Sequence, residues 1–286
     1  MKEVFERALE HYIAPWKKDT NLHQALYYSL MTGGKRVRPQ IVLLLGEILG
    51  MQAPVMKSAL CVEFFHTASL IADDLPCMDN EIYRRQKLTL HKAFDEETAL
   101  LASYALITEA FGCIYQNAAD LRNSSPLLRH YVGNILECAL ECTSRVAGIR
   151  GATLGQYLDI KNPTPTAANL KELIYLKTVT LFEGAFVLGW AFGGGPLSQL
   201  PYVKRAAHHF GMRFQILDDM QDRQQDAQSS PNIANVLGEI KTQSILQQEL
   251  EALETTLSQL EISDVNCQRV VALLGRVPPL LASSSV

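Results

Sequence analysis

Apolar residues recur every three or four positions along almost the whole chain, as in LHQALYYSLM, TALLASYALITEAF, LKELIYLKTVTLFEGAFVLGWAF and SILQQELEALETTLSQL. That rhythm lines one face of an α-helix, and no window alternates in the two-residue period of a half-buried strand. Glycine and proline punctuate the pattern at Gly33-Gly34, Pro39, Pro163 to Pro165, Gly193 to Pro196 and Pro201. Between these marks the spacing predicts roughly ten or more helices of about ten to twenty-five residues. There is no Ser/Gly-rich linker, long charge block or internal repeat. The expectation is therefore an all-α fold in a single domain over residues 1–286, with a frayed Ser-rich tail from about 279 to 286.

Composition narrows the functional classes. With 286 residues, 48% of them hydrophobic and 20% charged, the chain can bury a large core. Its net charge of −4 supplies no global basic field for nucleic acid or an anionic bilayer. The opening MKEVFERALEHYIAPW lacks the basic head and apolar run of a secretory signal, and IVLLLGEILG and FVLGWAFGGG are too short to span a bilayer. A cytoplasmic protein with no membrane span is expected. Its six cysteines sit in apolar helical stretches and read as reduced, mostly buried thiols, with Cys138 and Cys142 on one helix face as small core residues.

Two acidic clusters carry the candidate chemistry. In LIADDLPCMDNEIYRRQ, Asp73, Asp74 and Asp79 end a strongly apolar helix, where three carboxylates repel one another unless a cation sits among them. A regular helix would point Asp73 and Asp79 about 120° apart. Pro76 forces a distortion that can bring them together. In FGMRFQILDDMQDRQQD, Asp218 and Asp222 lie one turn apart on one face, flanked by Asp219. Oxygen-only ligands without nearby His or Cys suit a hard ion such as Mg²⁺ that shares its shell with phosphate.

Basic residues flank the first cluster: Lys35, Arg36 and Arg38 in MTGGKRVRPQ, then Arg84 and Arg85. Arginine forks match phosphate oxygens bidentately, and Gly33-Gly34 frees backbone N–H groups for an anion. Either cluster alone would usually be a solvated face. Their combination points to a diphosphate held between two metal-binding helix ends.

Taken together, GGKRVRP, DDLPCMD followed by RR, GQYLD, Lys177-Thr178 and FQILDDMQD resemble the trans-isoprenyl diphosphate synthases over roughly residues 20 to 240. The resemblance implies an isoprenoid synthase fold, a large helical bundle around a central cavity, and a homodimer. It implies three Mg²⁺ ions on Asp73, Asp79, Asp218 and Asp222, with Asp74 and Asp219 orienting ligands from behind. Lys35, Arg38, His66 and Arg85 fall on positions that hold the diphosphate of isopentenyl diphosphate. Arg84, Lys177 and Gln215 fall around the allylic prenyl diphosphate. Ionisation of the allylic C–O bond would leave a carbocation, with Lys177 on the departing diphosphate and Thr178 and Gln215 offering dipoles to the cation.

Product length should follow from what lies one turn behind the first aspartates. Ala68, five residues before Asp73, stands where short-chain members commonly carry Tyr or Phe, and Ser69 is equally small. Phe64 and Phe65 are expected to form the floor. A twenty-carbon geranylgeranyl product is the expectation, with farnesyl diphosphate as the shorter alternative.

Three departures from the family pattern accompany these matches. The segment after Asp222 is short and its only basic residue before Lys241 is Arg223, expected to supply part of the charge toward the allylic diphosphate. Val179 and Gln86 stand where the family usually has glycines and are expected to narrow the site or weaken catalysis. Such losses suit a noncatalytic or regulatory subunit of a heteromeric synthase, with the CxxxC pair as a contact, but both acidic triplets are complete. A class I terpene cyclase would not need GGKRVRP, His66 and Arg85.

Overall fold

The computed structural model describes residues 1–16, 20–50, 54–161, 167–222 and 232–275. Among them run fourteen α-helices. They are α1 (Lys2–Ile13), α2 (Asn21–Met31), α3 (Val37–Ile48), α4 (Met56–Asp73), α5 (Leu90–Ala93), α6 (Glu96–Ser124) and α7 (Val132–Ala147). The second half contributes α8 (Ala152–Lys161), α9 (Ala167–Ile174), α10 (Thr180–Phe192), α11 (Leu200–Asp222), α12 (Ile233–Leu237), α13 (Glu239–Gln259) and α14 (Asp264–Ala272). Helix starts follow local chemistry. Thr20 caps α2 through His23 N–H, Asp95 caps α6 by accepting from Thr98 N–H at 2.6 Å, and Pro39 and Pro201 sit in the first turns of α3 and α11, where their missing N–H groups leave no gap.

Two helices form the centre. Every residue of α10 except Leu181 is buried, as expected of a helix that is apolar all round, and it packs on α3, α4, α7 and α11. A cluster of Phe182, Phe186, Phe210 and Phe214, with ring centroids 4.9 to 5.5 Å apart, locks α10 to α11. The other central helix, α4, packs against α6 and α3. One acidic motif thus ends central α4, and the other ends α11, which packs on central α10.

The structure departs from the sequence reading in three places. A two-stranded hairpin, β1 (Tyr83–Arg84) and β2 (Lys87–Leu88), follows the first acidic motif and pairs Tyr83 with Leu88. Its two-residue turn puts both Arg85 (φ 52°) and Gln86 (φ 65°) in the left-handed region, the turn that matches strand twist. Two helices, Glu96–Ser124 and Asn169–Phe192, are long and apolar enough to cross a membrane, because the apolar run continues upstream of FVLGWAF. In the second, 83% of the most apolar window is packed inside the protein. Finally, a π-helical turn, Tyr175–Val179, interrupts the path from α9 into α10. Wide turns of this kind mark functional positions in helices.

Candidate active site

The end of α4 is shaped by Pro76. The helix stops at Asp73, and the following turns fold back so that Asp79 N–H donates to Asp73 C=O at 2.9 Å, while Met78 and Asn80 both donate to Leu75 C=O. Asp73 and Asp79 consequently line one cleft, which Asp218 enters from α11. Burial, together with the charge of Asp79 and against the pull of Lys177, pushes the Asp73 carboxyl up to about 7. The side chain of Asp222, and the whole of Arg223, lie outside the described residues.

This cleft encloses about 720 Å³ and gathers Lys35, Arg38, His66, Arg84, Arg85, Lys177, Thr178 and Gln215 on its walls. Each basic group is placed by a distinct device. Arg84 donates from Nε to Asp74 Oδ1 at 2.7 Å and from Nη2 at 2.6 Å, so buried Asp74 fixes the guanidinium. Burial works against that charge, but Asp74 holds Arg84 above its ordinary pKa. Arg85 reaches across to donate to Gly33 C=O. Gly34 has φ +137°, and a Cβ there would lie 2.5 Å from the Arg85 guanidinium, so this glycine makes room for the arginine.

Arg38 is desolvated over the Phe182 ring, 4.3 Å from its centroid, and among the described residues its Nε has no hydrogen-bond partner. Burial lowers its pKa to about 10 against the pull of Glu63 and Asp218. It stays charged at neutral pH and short of hydrogen-bond acceptors, which suits an incoming anion. His66 is held well below its ordinary pKa by burial and by Arg38 and Arg85, so its imidazole is neutral. Lys35 ion-pairs with Asp218 at 3.1 Å across the mouth.

Arg36 differs from its neighbours. It is buried in the left-handed conformation (φ 51°), ion-paired to buried Glu63 and to Glu6 (2.9 Å), and donates to Leu30 C=O at 2.5 Å. Its guanidinium is committed to the fold.

The π-helical turn carries Lys177 and Thr178 to the same cleft. Gly155 of α8 packs so tightly on it that a Cβ would come within 2.5 Å of Lys177 N, and one helical turn later Asp159 accepts from Lys177 Nζ at 2.5 Å. Asp159 is the last residue of the GQYLD motif, and nothing in the sequence pattern pairs it with Lys177. Thr178 Oγ1 donates to Gln215 Oε1 (2.8 Å), Gln215 Nε2 donates to Asp219 Oδ1 (2.7 Å), and Asp219 Oδ2 accepts from Ile233 N–H (2.8 Å). Asp219 therefore orients Gln215 and ties α11 to the start of α12.

Beyond Asp73 and Lys177 the cleft opens into an apolar cavity of about 600 Å³. Ser69 and Leu181 line both spaces. Ala68 is fully buried in the cavity wall, and Ser103 Oγ donates to its carbonyl at 3.0 Å. Phe65 and Phe111 stand edge to face, with centroids 5.4 Å apart at 88°, in the wall of the same cavity. Phe64 does not join them: it is buried on the other side of α4 against Tyr12 and Trp16. Adjacent positions on a helix point about 100° apart, so only one of the pair can face the cavity. Phe111 on α6 supplies the second ring.

Neither replaced glycine narrows the cleft. Val179 is buried on the far side of the π-helical turn, against Gly211, and Gln86 is exposed in the hairpin turn.

A polar cleft rich in carboxylates and arginines thus adjoins a largely apolar cavity, with Ser69, Asp73, Lys177 and Leu181 at their junction. The polyprenyl synthetase family model matches residues 19–251, and the chain belongs to that family. It is 39% identical over 205 residues to the chloroplastic geranylgeranyl pyrophosphate synthase of Capsicum annuum, covering 70% of this chain and 53% of that protein. With geranylgeranyl pyrophosphate synthase 4 of Arabidopsis thaliana it shares 35% identity over 245 residues, 84% of this chain and 62% of the relative. The match thus spans little more than half the length of these curated relatives. Among solved structures, a geranyltransferase from Legionella pneumophila superposes with a TM-score of 0.80 at 26% identity, covering 95% of this chain and 92% of that one. An FPP/GFPP synthase from Zymomonas mobilis gives 0.80 at 25% identity, covering 96% of each chain.

Proposed function

We propose that this chain is a Mg²⁺-dependent trans-prenyltransferase that condenses isopentenyl diphosphate with an allylic prenyl diphosphate and releases geranylgeranyl diphosphate. The observation that carries this reading is the junction at Asp73 and Lys177, where a cleft of charged groups becomes an apolar tunnel. One substrate can bridge that boundary, with its diphosphate among the charges and its hydrocarbon beyond them.

The donor set fits the metal. Asp73, Asp79 and Asp218 offer oxygen ligands only, and burial, with Asp79 beside it, raises the Asp73 carboxyl, a penalty that a cation would relieve. On this reading these residues, with Asp222, hold three Mg²⁺ ions. Bound there, the metal supplies charge neutralisation on the allylic diphosphate as its C–O bond breaks.

The chain does the rest. Arg84, fixed by Asp74, and Lys177, fixed by Asp159, offer preorganised donors to the departing oxygens. Lys35, Arg38, Arg85 and neutral His66 hold the diphosphate of the acceptor. Thr178 and Gln215 turn oxygen dipoles toward the nascent allylic cation, and the apolar wall beyond excludes water that would quench it. The acceptor's double bond then attacks, and its proton leaves to the released pyrophosphate.

The tunnel also bears on length. Ala68 leaves open the space an aromatic side chain would fill, and the Phe65–Phe111 pair sets a wall further along. An exposed apolar stripe on α6, formed by Leu100, Leu101, Tyr104, Ile107 and Tyr115, supports a homodimer packed through this helix.

Calorimetric titration with pyrophosphate tests the reading without assuming a chain length. Binding that requires Mg²⁺ and disappears in Asp73→Asn and Asp218→Asn is expected. Metal-independent binding, or binding unaffected by both substitutions, would exclude the clamp.

A further inference from the structure

A second cluster of ligating side chains lies away from the cleft. His208 and His209 on α11 and Glu249 on α13 bring their ligand atoms to within 4.8 Å of one another, and all three are half-buried. His209 Nδ1 and Glu249 Oε2 are 2.7 Å apart. The two imidazoles meet edge to face at 5.3 Å, and His208 leans on Tyr175 at 5.8 Å. The nine residues from His209 to Asp218 place this cluster about 13 Å back along α11 from the carboxylate cleft.

We propose that His208, His209 and Glu249 form a site for a divalent transition metal of the Zn²⁺ type, joining α11 to α13. The donor chemistry separates it from the Mg²⁺ cleft. Two imidazole nitrogens and one carboxylate are the ligand set of borderline ions, whereas Mg²⁺ takes oxygen alone. The carboxylate is already beside His209; because adjacent helix positions point about 100° apart, His208 must swing toward them to complete three ligands on one ion, with water as the fourth.

The location gives the site a structural consequence. The α11 helix carries Asp218 and Asp219, and Tyr175 begins the π-helical turn that carries Lys177 and Thr178. An ion bridging α11 and α13 would stiffen the support behind both, without touching substrate.

The test uses the full chain with Mg²⁺ in excess, so that the acidic cleft is occupied, and titrates ZnCl₂ by calorimetry. One Zn²⁺ per chain is expected. His209→Ala and Glu249→Gln should each weaken binding by about tenfold or more. Glu249→Gln keeps a hydrogen-bonding partner for His209 and so guards against loss of fold. Replacing Zn²⁺ with Co²⁺ should give an absorption spectrum free of thiolate-to-cobalt charge transfer. Absence of Zn²⁺ binding, equal affinity in wild type and both variants, or a thiolate signature would each overturn the assignment, leaving a plain His209–Glu249 hydrogen bond. No substrate is used, so the outcome is independent of the prenyltransfer reading.

Discussion

Lys177 Nζ lies 2.5 Å from Asp159 Oδ2, and the helix that carries Asp159 touches the Lys177 backbone at Gly155. The pair is a positioning device: both side chains are partly exposed, so it adds little to stability, but it aims an ammonium at the cleft. Asp159→Asn should lower kcat by about tenfold through loss of that aim. Its thermal midpoint should stay close to that of the wild type. Unchanged kinetics would show that Lys177 needs no guide.

Neighbouring basic residues should separate cleanly. Arg36→Ala leaves Glu63 buried without its partner and should cost about 3–5 kcal/mol of stability in chemical denaturation. Lys35→Ala removes an exposed pair with Asp218, so stability should hold while KM for the acceptor rises. The opposite pattern would mean that the two residues have exchanged roles.

Ala68→Tyr fills the tunnel with a ring and should shorten the product, read by chromatography after dephosphorylation. Phe111→Ala removes one ring of the edge-to-face pair and should lengthen it. If both variants give the wild-type product, chain length is set elsewhere.

Gln86 holds a left-handed conformation in the hairpin turn. Gln86→Gly should stabilise the protein by about 1 kcal/mol, since glycine adopts that conformation without a Cβ clash. Denaturant midpoints measure it, and an unchanged midpoint would contradict the strain.

Asp73 gives the metal-free protein a pH dependence. Burial raises its folded pKa to about 7, so between about pH 4 and that value the folded chain keeps a proton the unfolded chain has released. Stability from this group is therefore greatest at low pH and is lost as pH rises through about 7. With chelator present, the wild type should lose more stability than Asp73→Asn over that window, and Mg²⁺ should remove the difference. Parallel curves would show that Asp73 is not raised.

Much of the fold was legible because its helices are amphipathic or wholly apolar, and periodicity reports both. FVLGWAFGGG reads from sequence as too short to span a bilayer; the apolar helix containing FVLGWAF is longer than that reading allows, and burial of 83% of its most apolar window shows only in the structure. Pro76 foreshadows the meeting of Asp73 and Asp79, whereas the approach of Asp218 from a helix about 140 residues away follows from the family resemblance rather than from spacing. Other features needed three dimensions. Phe64 and Phe65 are equivalent by composition, and only packing shows that Phe65 faces the tunnel and that Phe111 answers it. Asp159 and Glu63 act through partners 18 and 27 residues away, separations that no local pattern encodes. The hairpin carries no sequence signal because its strands are two residues long and its turn lacks Asn-Gly.

Incubation of the purified protein with Mg²⁺, labelled isopentenyl diphosphate and farnesyl diphosphate measures the central claim most directly. Label should appear in a twenty-carbon prenyl diphosphate, and Asp73→Asn should abolish it. Hydrocarbon released without incorporation, or no reaction with any allylic partner, would contradict a prenyltransferase.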